Sequence, residues 1–592
     1  MSLNLNIFLP HRRIGKGKAR SFRSLLRTIG PTWEYSPYRR LIQVLCFSIF
    51  LVLFFHVCWP YSATPGANVQ GWPSHYAEDF ASKEILQPEA FLALDPLVSI
   101  SAAIAGRRWV WSLTWAAAIL ALCVIVPRGF CGVICPLGTL IDLFDWVIGK
   151  HIQRFRVKRD GWWIHLKYGI LSAVLISALC GILLSGFVSA IPVLTRGMQF
   201  ILAPVQMGVL RGWHQVPPLH LGHYFSIFLF LGVLASGLLR PRFWCRYLCP
   251  SGAIFSLSAL LTRVTERKVR KECVDCGNCA AVCPFDAIKP DYTTRASDCT
   301  LCQTCGGACS VGAIRFTSRW DREDVRSATD GSADERSLSR RAFLGCMCAG
   351  AAMATGTRHL FGTPLGGSDP DFLPVRPPMS LPEQKFLRTC IRCGQCFKVC
   401  PNNVLQPLGF EQGLEGLWTP ALAANWSGCE PSCANCAQVC PSGAIRNLPL
   451  LQKRVAHMGL AIVTKQTCLP CVGKEACEIC ANECKNAGYN AIEFERVHPE
   501  MDEDGMPIEG SGFLAPVVIK EKCVGCGICQ SVCHRMNVKT KHLLNRAAIT
   551  VRAGAGREDR ISHGLYTDLR AEEEKERLRH QKERNKNFGD FY

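Results

Sequence analysis

The chain has 592 residues, 35 of them cysteine, and its 67 Lys and Arg against 47 Asp and Glu give a net charge of +20. That length is several domains' worth and excludes a small disulfide-stapled scaffold, while so many cysteines are foreign to an ordinary cytosolic enzyme. Metal or redox chemistry is the first expectation, and the placement of the basic residues decides what the charge is for.

Nine Lys or Arg, including Arg12, Arg13, Lys16, Lys18 and Arg20, precede the first apolar run. Four runs approach the roughly 20 apolar residues that span hydrocarbon: Leu41 to Trp59, Trp109 to Val126, Tyr168 to Phe187 and His223 to Leu239. Arg128, Lys150, Arg154, Arg156, Lys158 and Arg159 lie between the second and third, whereas 60–108 and 188–222 hold few basic residues, although Arg107 and Arg108 count against a clean pattern. The positive-inside rule therefore predicts a basic cytoplasmic segment over 1–40 and an α-helical membrane domain of four helices over 41–262, with both its ends cytoplasmic. Topology accounts for the charge, so no nucleic-acid partner is expected, and no cleavable N-terminal signal peptide is visible.

Two short motifs follow the second and fourth runs, Cys131-Gly132-Val133-Ile134-Cys135-Pro136 and Cys245-Arg246-Tyr247-Leu248-Cys249-Pro250. Both sit at the same end of their helices, so Cys131, Cys135, Cys245 and Cys249 can converge on one site. A further metal centre, a redox-active dithiol and reduced structural thiols are all open to them.

The most specific signal is a repeat. Cys273, Cys276, Cys279 and Cys283-Pro284 have the spacing C-x2-C-x2-C-x3-C-P, and Cys299, Cys302, Cys305 and Cys309 repeat it without the proline. Three thiolates on a tight loop reach three irons of one cubane, and the fourth ligates the neighbouring cluster. The span 263–317 is thus predicted to be a cytoplasmic two-cluster module. Cys390, Cys393, Cys396 and Cys400 pair with Cys429, Cys433, Cys436 and Cys440, and a looser pair follows: Cys468, Cys471, Cys480 and Cys484 with Cys523, Cys526, Cys529 and Cys533. Cys477 competes with Cys480, which is preferred because it keeps the x3 step to Cys484. Six quartets predict six [4Fe-4S] clusters in α+β bacterial-type 2[4Fe-4S] ferredoxin modules of one multidomain chain. Zinc is the rival ligand, but it has no use for the fourth cysteine or the paired runs. No C-x-x-C-H occurs, so no c-type haem is expected.

Residues 318–338 read as a polar linker. Ser339-Arg340-Arg341-Ala342-Phe343-Leu344 and the small apolar stretch after it, 339–357, match a twin-arginine export signal, expected here as an uncleaved fifth membrane helix. A Pro-rich spacer over 358–386, a periplasmic four-cluster domain over 387–552 and a charged tail over 553–592 complete the order, with residues 503–519 expected as a hairpin insertion before the last quartet. The tail's alternating Glu and Lys or Arg reads as a solvated helix or arm. Cys46, Cys58, Cys123, Cys180, Cys346 and Cys348 read as buried packing residues.

This order resembles a fusion of NapH-type and NapG-type proteins, with MauN and MauM as relatives. The resemblance rests on the two C-x3-C-P motifs, the following two-cluster module, the twin-arginine segment and the four clusters after it. It implies a ferredoxin-type quinol dehydrogenase of the bacterial inner membrane. Such a protein takes electrons from the membrane quinone pool to a periplasmic terminal reductase, such as nitrate reductase, or a cytochrome, and uses the twin-arginine translocase during export. A rival resemblance is to polyferredoxins such as NosR or the cytochrome-oxidase copper reductase, which support maturation or activation of another enzyme. For the quinone, His56 and His223 are the candidate binding residues, with Arg107, Arg108 and His220 near the same face. The competing reading is that a helix-end histidine caps its helix.

Overall fold

The structure, a computed structural model, describes residues 31–56, 87–149, 151–152, 162–262, 264–321, 324–326, 340–362, 373–502, 508 and 510–589. Helix α1 (Pro37–His56) turns Leu41, Val44, Leu45, Ile49 and Val52 outward and Arg39, Gln43, Phe50, Leu53 and Phe54 inward. An apolar outer face and a partly polar inner one invert the pattern of a water-facing helix and suit a lipid surface. Helices α2 (Pro96–Gly106), α3 (Ser112–Ile125), α4 (Pro136–Phe144), α5 (Leu166–Leu179), α6 (Ala190–Arg211), α7 (Leu221–Ala235) and α8 (Pro250–Thr262) complete the bundle.

Among the described residues, two helices are long and apolar enough to cross a membrane, Pro37–His56 and the α7 segment Leu221–Leu238. The second and third predicted spans are shorter, with 14 residues each in α3 and α5. The third ends at Leu179 because Gly181 takes a left-handed φ of 83° and the chain re-enters as the single turn Ser185–Val188, so it does not run on to Phe187 as the apolar run suggested. Residues 191–210 lie within the 22-residue helix α6, which carries Pro204 inside it and is not among the spanning candidates. Cys58 and Trp59 fall outside the described residues. Helix α9 (Arg340–Gly362), the twin-arginine segment, packs along α5, where a methyl on Gly350 would lie 2.6 Å from Ser172 Cβ. Its apolar part, Leu344–Gly356, is short of a span.

The three ferredoxin modules share one plan, in which the module's first and last strands pair and a second pairing lies between the cysteine runs. In the first module β1 (Thr265–Val269) pairs antiparallel with β2 (Ile314–Ser318), and Ile288 bridges Thr294. In the second, Ser380 bridges Ile445 outside β3 (Leu405–Pro407) and β4 (Pro420–Leu422). In the third, β5 (Leu460–Val463) is to pair with β8 (Ile549–Arg552), and inside them β6 (Ile492–Val497) forms a hairpin with β7 (Phe513–Val518). The predicted hairpin therefore exists with wider bounds, and its tip at 503–507 lies outside the described residues.

Two boundaries move. The second module begins before 387, since Arg376 reaches Glu383 (2.6 Å) and donates to the Pro420 carbonyl (2.9 Å). The tail is anchored rather than wholly solvated: Tyr566, at the start of helix α10 (Tyr566–Gly589), is completely buried, and Arg560 also pairs with Glu383 (2.5 Å). Despite burial that works against its charge, Arg376 and Arg560 hold the Glu383 carboxyl at about 2 against an ordinary 4.5. These pairs thus stabilise the module fully above about pH 4.5 and are lost as pH falls toward 2. Arg376 is nearly inaccessible, so Glu383→Ala leaves a buried charge unpaired and should cost about 3 kcal/mol at pH 7. Chemical denaturation of the two chains measures it, and equal midpoints would show that the pair does not hold the tail to the module.

Candidate functional site

In each of the six cysteine runs the third cysteine is the second residue of a short helix. These helices are Asn278–Ala281, Thr304–Ala308, Gln395–Lys398, Asn435–Gln438, Ile479–Asn486 and Ile528–Cys533, carrying Cys279, Cys305, Cys396, Cys436, Cys480 and Cys529. Cys480, rather than Cys477, thus shares the helix position of the other third cysteines, and Asn537 Nδ2 lies 3.7 Å from Cys477 Sγ and 3.8 Å from Cys533 Sγ. The runs cross as the spacing predicts. One enclosed cavity is lined by Cys299, Cys302, Cys305 and Cys283, a second by Cys390, Cys393, Cys396 and Cys440, and a third by Cys523, Cys526, Cys529 and Cys484. Each takes three thiols from one run and the fourth from its partner.

The surroundings fit an anionic thiolate cluster. Among the described residues no three His, Cys, Asp or Glu side chains close to the spacing of a single ion, whereas a cubane needs its four sulfurs further apart. Among the described residues, several fully buried guanidiniums leave N–H groups without an acceptor, including Arg39 Nη1 and Nη2, Arg196 Nη2 and Arg392 Nε. Their electrostatic neighbours are Cys302 for Arg39, Cys393 and Cys390 for Arg196, and Cys390 for Arg392. Buried donors of this kind are costly unless something accepts from them, and a cluster with its thiolates is such an acceptor. Burial pushes the Cys302 thiol up, but Arg39, hydrogen bonds from Thr304, and Arg242 together outweigh it and the net displacement is downward. Burial beside Cys302 and Cys305, without such a cation, sends Cys283 up to about 12, so iron must displace a proton there.

The four C-x3-C-P thiols do come together, at the centre of the helical bundle. Chain stretches 127–138 and 241–252 follow one pattern, Pro-Arg-x-aromatic-Cys-x3-Cys-Pro-x-Gly. In both, the arginine (Arg128, Arg242) has φ of 53°, and the five residues Phe130–Ile134 or Trp244–Leu248 form one π turn closed by Cys135 N to Phe130 O or Cys249 N to Trp244 O, each 2.8 Å. The proline that follows starts α4 or α8, where its missing N–H is harmless. The two motifs are tied reciprocally: Arg242 Nη1 donates to Cys131 O (3.1 Å) and Arg128 Nη2 to Cys245 O (3.4 Å). Asp142 braces Arg242 with two 2.7 Å bonds, and Asp298 of the first module pairs with Arg128 (3.4 Å) and Lys167 (3.0 Å). Arg128 Nε, beside Cys131 and Cys245, has no acceptor.

This centre joins the modules. Cys135, Cys245 and Cys249 share one hydrophobic core with Phe285, Ala287 and Ile391, and Cys131, Cys283, Cys299 and Cys393 pack against it, so ligand cysteines of the first and second modules border the same core. A methyl on Gly132 would meet Thr300 Cβ at 3.0 Å, and one on Gly186 would meet Ile391 O at 2.3 Å, so both modules press backbone to backbone onto the bundle. Further out, Cys429 N donates to Cys526 O (2.7 Å), which brings the second module's other quartet against the third module. Lys453 is buried there and donates to Glu430 O; burial opposes its charge, but Cys429, Tyr489 and Cys433 keep it protonated.

Other predicted site residues fare differently. His223 Nδ1 accepts from His220 N (3.2 Å) and stacks on Phe200 at 4.5 Å, the helix-capping role weighed against quinone binding. His56 ends α1. Cys46 is half-buried and Cys123 and Cys346 buried as read, but Cys180 and Cys348 are exposed on their helices. Sequence reasoning passed over Asp95, fully buried, which accepts from Ser189 Oγ (2.5 Å), Ser251 Oγ (3.0 Å) and Leu97 N (3.2 Å) and lies electrostatically near Cys131. A carboxylate opening an eleven-residue apolar helix was the signal available.

The helix register predicts that Cys480→Ser removes one cluster's iron, read by iron and sulfide analysis, while Cys477→Ser keeps it; the reverse would exchange the two residues' roles. Comparison with known proteins agrees with these sites. A family model described as a 4Fe-4S binding domain matches 108–154 and 222–271, stretches that each contain one C-x3-C-P motif and no complete ferredoxin quartet. A 4Fe-4S dicluster domain matches 389–444, and another 4Fe-4S binding domain matches 268–289. The methylamine utilization ferredoxin-type protein MauM of Paracoccus denitrificans is 36% identical over 194 residues, 31% of this chain and 80% of that protein. MauM of Methylorubrum extorquens is 36% identical over 30% of this chain and 71% of its own length. Ferredoxin-type protein NapG of Escherichia coli is 35% identical over 27% of this chain, and the chain spans 65% of it. No solved structure matches. The crossed cysteine quartets and these identities show that the chain belongs to the MauM ferredoxin-type iron-sulfur proteins and is similar to NapG.

Proposed function

We propose that the chain is a membrane-bound electron relay that oxidises quinol and delivers electrons through six [4Fe-4S] clusters to a periplasmic acceptor such as a terminal reductase. When bound, the clusters supply one-electron carriers whose potentials follow net charge, hydrogen bonding and burial. The chain's own residues set those levers: Arg39, Arg196, Arg392 and Lys453 place positive charge beside individual quartets, which raises the ease of reduction there.

The observation that carries this reading is the position of the modules on the two long apolar helices. Beside the N-terminal end of α1, Ser36 meets Thr304 of the first module (3.0 Å), and the last turn of α1 offers the Phe54 carbonyl to Lys398 of the second. Helix α7 runs the other way, with Trp418 of the second module donating to Gly222 O (2.7 Å) and Arg246, past its far end, pairing with Asp286 of the first (2.9 Å). Eighteen residues separate Ser36 from Phe54, about 27 Å of helix rise, close to a hydrocarbon thickness of about 30 Å. The first module thus belongs on the cytoplasmic side and the second and third on the periplasmic side, with α9 retained as a further helix of the bundle. Between them Cys131, Cys135, Cys245 and Cys249 form the intermediate redox station, either as metal thiolates or as dithiols. The guanidiniums of Arg128 and Arg242 stand beside them.

Replacing Cys131 and Cys245 by Ser should leave the ligand cysteines of all six quartets in place but slow quinol-driven reduction of the first module's clusters by an order of magnitude or more, followed by freeze-quench EPR. Reduction at the unaltered rate would take the four thiols off the path.

A further inference from the structure

A cavity of about 700 Å³ opens between the bundle and the second module. On the bundle side it is lined by Glu89, Arg108, Trp109 and Trp111, and on the module side by Cys440, Arg446 and His563. Cys440 also lines the enclosed cavity that it shares with Cys390, Cys393 and Cys396, so a single cysteine separates the open cleft from a cluster site. Glu89 is 7% exposed, and its Oε2 has no hydrogen-bond partner among the described residues. It stands at the start of the short helix Ala90–Ala93 yet makes no cap with its side chain, so Oε2 is left free to face the cleft.

We propose that this cleft is the quinol-oxidising site, with Glu89 the proton acceptor; the assignment rests on the quinol reading given above. A quinone head group is flat, weakly polar and carried on an apolar tail, so it needs aromatic walls, a few hydrogen-bonding groups and a mouth at the lipid interface. Trp109 and Trp111 are both exposed, and tryptophans of this kind concentrate at membrane-water boundaries. Arg108 offers its guanidinium to a quinone oxygen. Its Nη2 stands where a methyl on Gly443 would be, at 2.7 Å, which explains a glycine with φ of 66° at the cleft wall. Arg446 is committed to the Ile561 and Gly564 carbonyls, and so shapes the cleft rather than the ligand. Burial raises the Glu89 carboxyl, making it a better base for a quinol hydroxyl than an exposed glutamate.

The balance is simple. Quinol loses two electrons and two protons and leaves as quinone. The electrons pass singly to the oxidised [4Fe-4S] cluster whose thiolates include Cys440. One proton moves to Glu89 and then to water at the cleft mouth, and the other goes to that water directly.

The test uses the full chain purified anaerobically in detergent. An azido-quinone photolabel should attach to peptides containing Trp109 or Gln438, and decylubiquinol should compete with it. In Glu89→Gln, bleaching of the cluster absorbance by decylubiquinol should slow about 10²-fold, with bleaching by dithionite unchanged, which also shows that the variant folds and holds its clusters. Labelling of the His56 or His223 peptides with Glu89→Gln at the wild-type rate would overturn the site while leaving quinol oxidation intact. A wild-type chain that decylubiquinol cannot bleach would overturn both.

Discussion

Negative charge on buried sulfur is the constraint around which this molecule is arranged. Most cysteines of the ferredoxin-type runs lie in or near cores, where an uncompensated thiolate is costly and the ordinary remedy, protonation, is incompatible with holding iron. The remedy here is buried arginine. Arg39, Arg128, Arg196, Arg242 and Arg392 are all essentially inaccessible, and each stands beside at least one cysteine. Their remaining N–H groups bond across element boundaries: Arg39 to Gly132 O, Arg196 to Gly186 O and Arg392 O, Arg392 to Leu183 O. The groups that neutralise the redox centres therefore also dock the modules onto the helices, and orientation and electrostatics cannot be varied separately.

That coupling explains why the bundle is polar where a membrane domain is usually plain. Arg128, Lys167 and Arg246 surround Asp298, and Arg39, Arg40 and Arg242 surround Asp142, two carboxylates that these cations share with the neighbouring sulfurs. At the opposite end Arg196 lies 3.7 Å from the Trp418 ring centre, a stacking that lets a charged group sit against an apolar wall. The two ends use different chemistry, carboxylate clamps on one side and carbonyl and aromatic contacts on the other. The resulting chain of sulfur sites is continuous in packing from Cys283 and Cys299, through the four central thiols, to Cys393.

Cluster ligation was legible because its period is local. The x2, x2, x3 spacing fixes which residue starts the short helix, and that step alone is what favours Cys480 over Cys477. The longer motif around Arg128 and Arg242 was present in the sequence at a fixed separation, but its meaning lies in a reciprocal contact between chain segments more than a hundred residues apart, which no local pattern reports. Hydropathy misjudged helix ends for a related reason. Apolar residues continue from Leu179 to Phe187, yet Gly181 breaks the helix. Asp95 and Glu89 were passed over because a lone carboxylate acquires significance only through burial.

Transmembrane conduction through one chain is the central claim, and it can be measured in sealed proteoliposomes with ferricyanide trapped inside, dithionite outside and an ionophore to dissipate charge. Dithionite does not cross the bilayer. The account predicts that trapped ferricyanide is reduced at a rate set by the protein, and that the rate falls when Cys131 and Cys245 are serine. Bleaching of the outward clusters with the trapped ferricyanide untouched would contradict it.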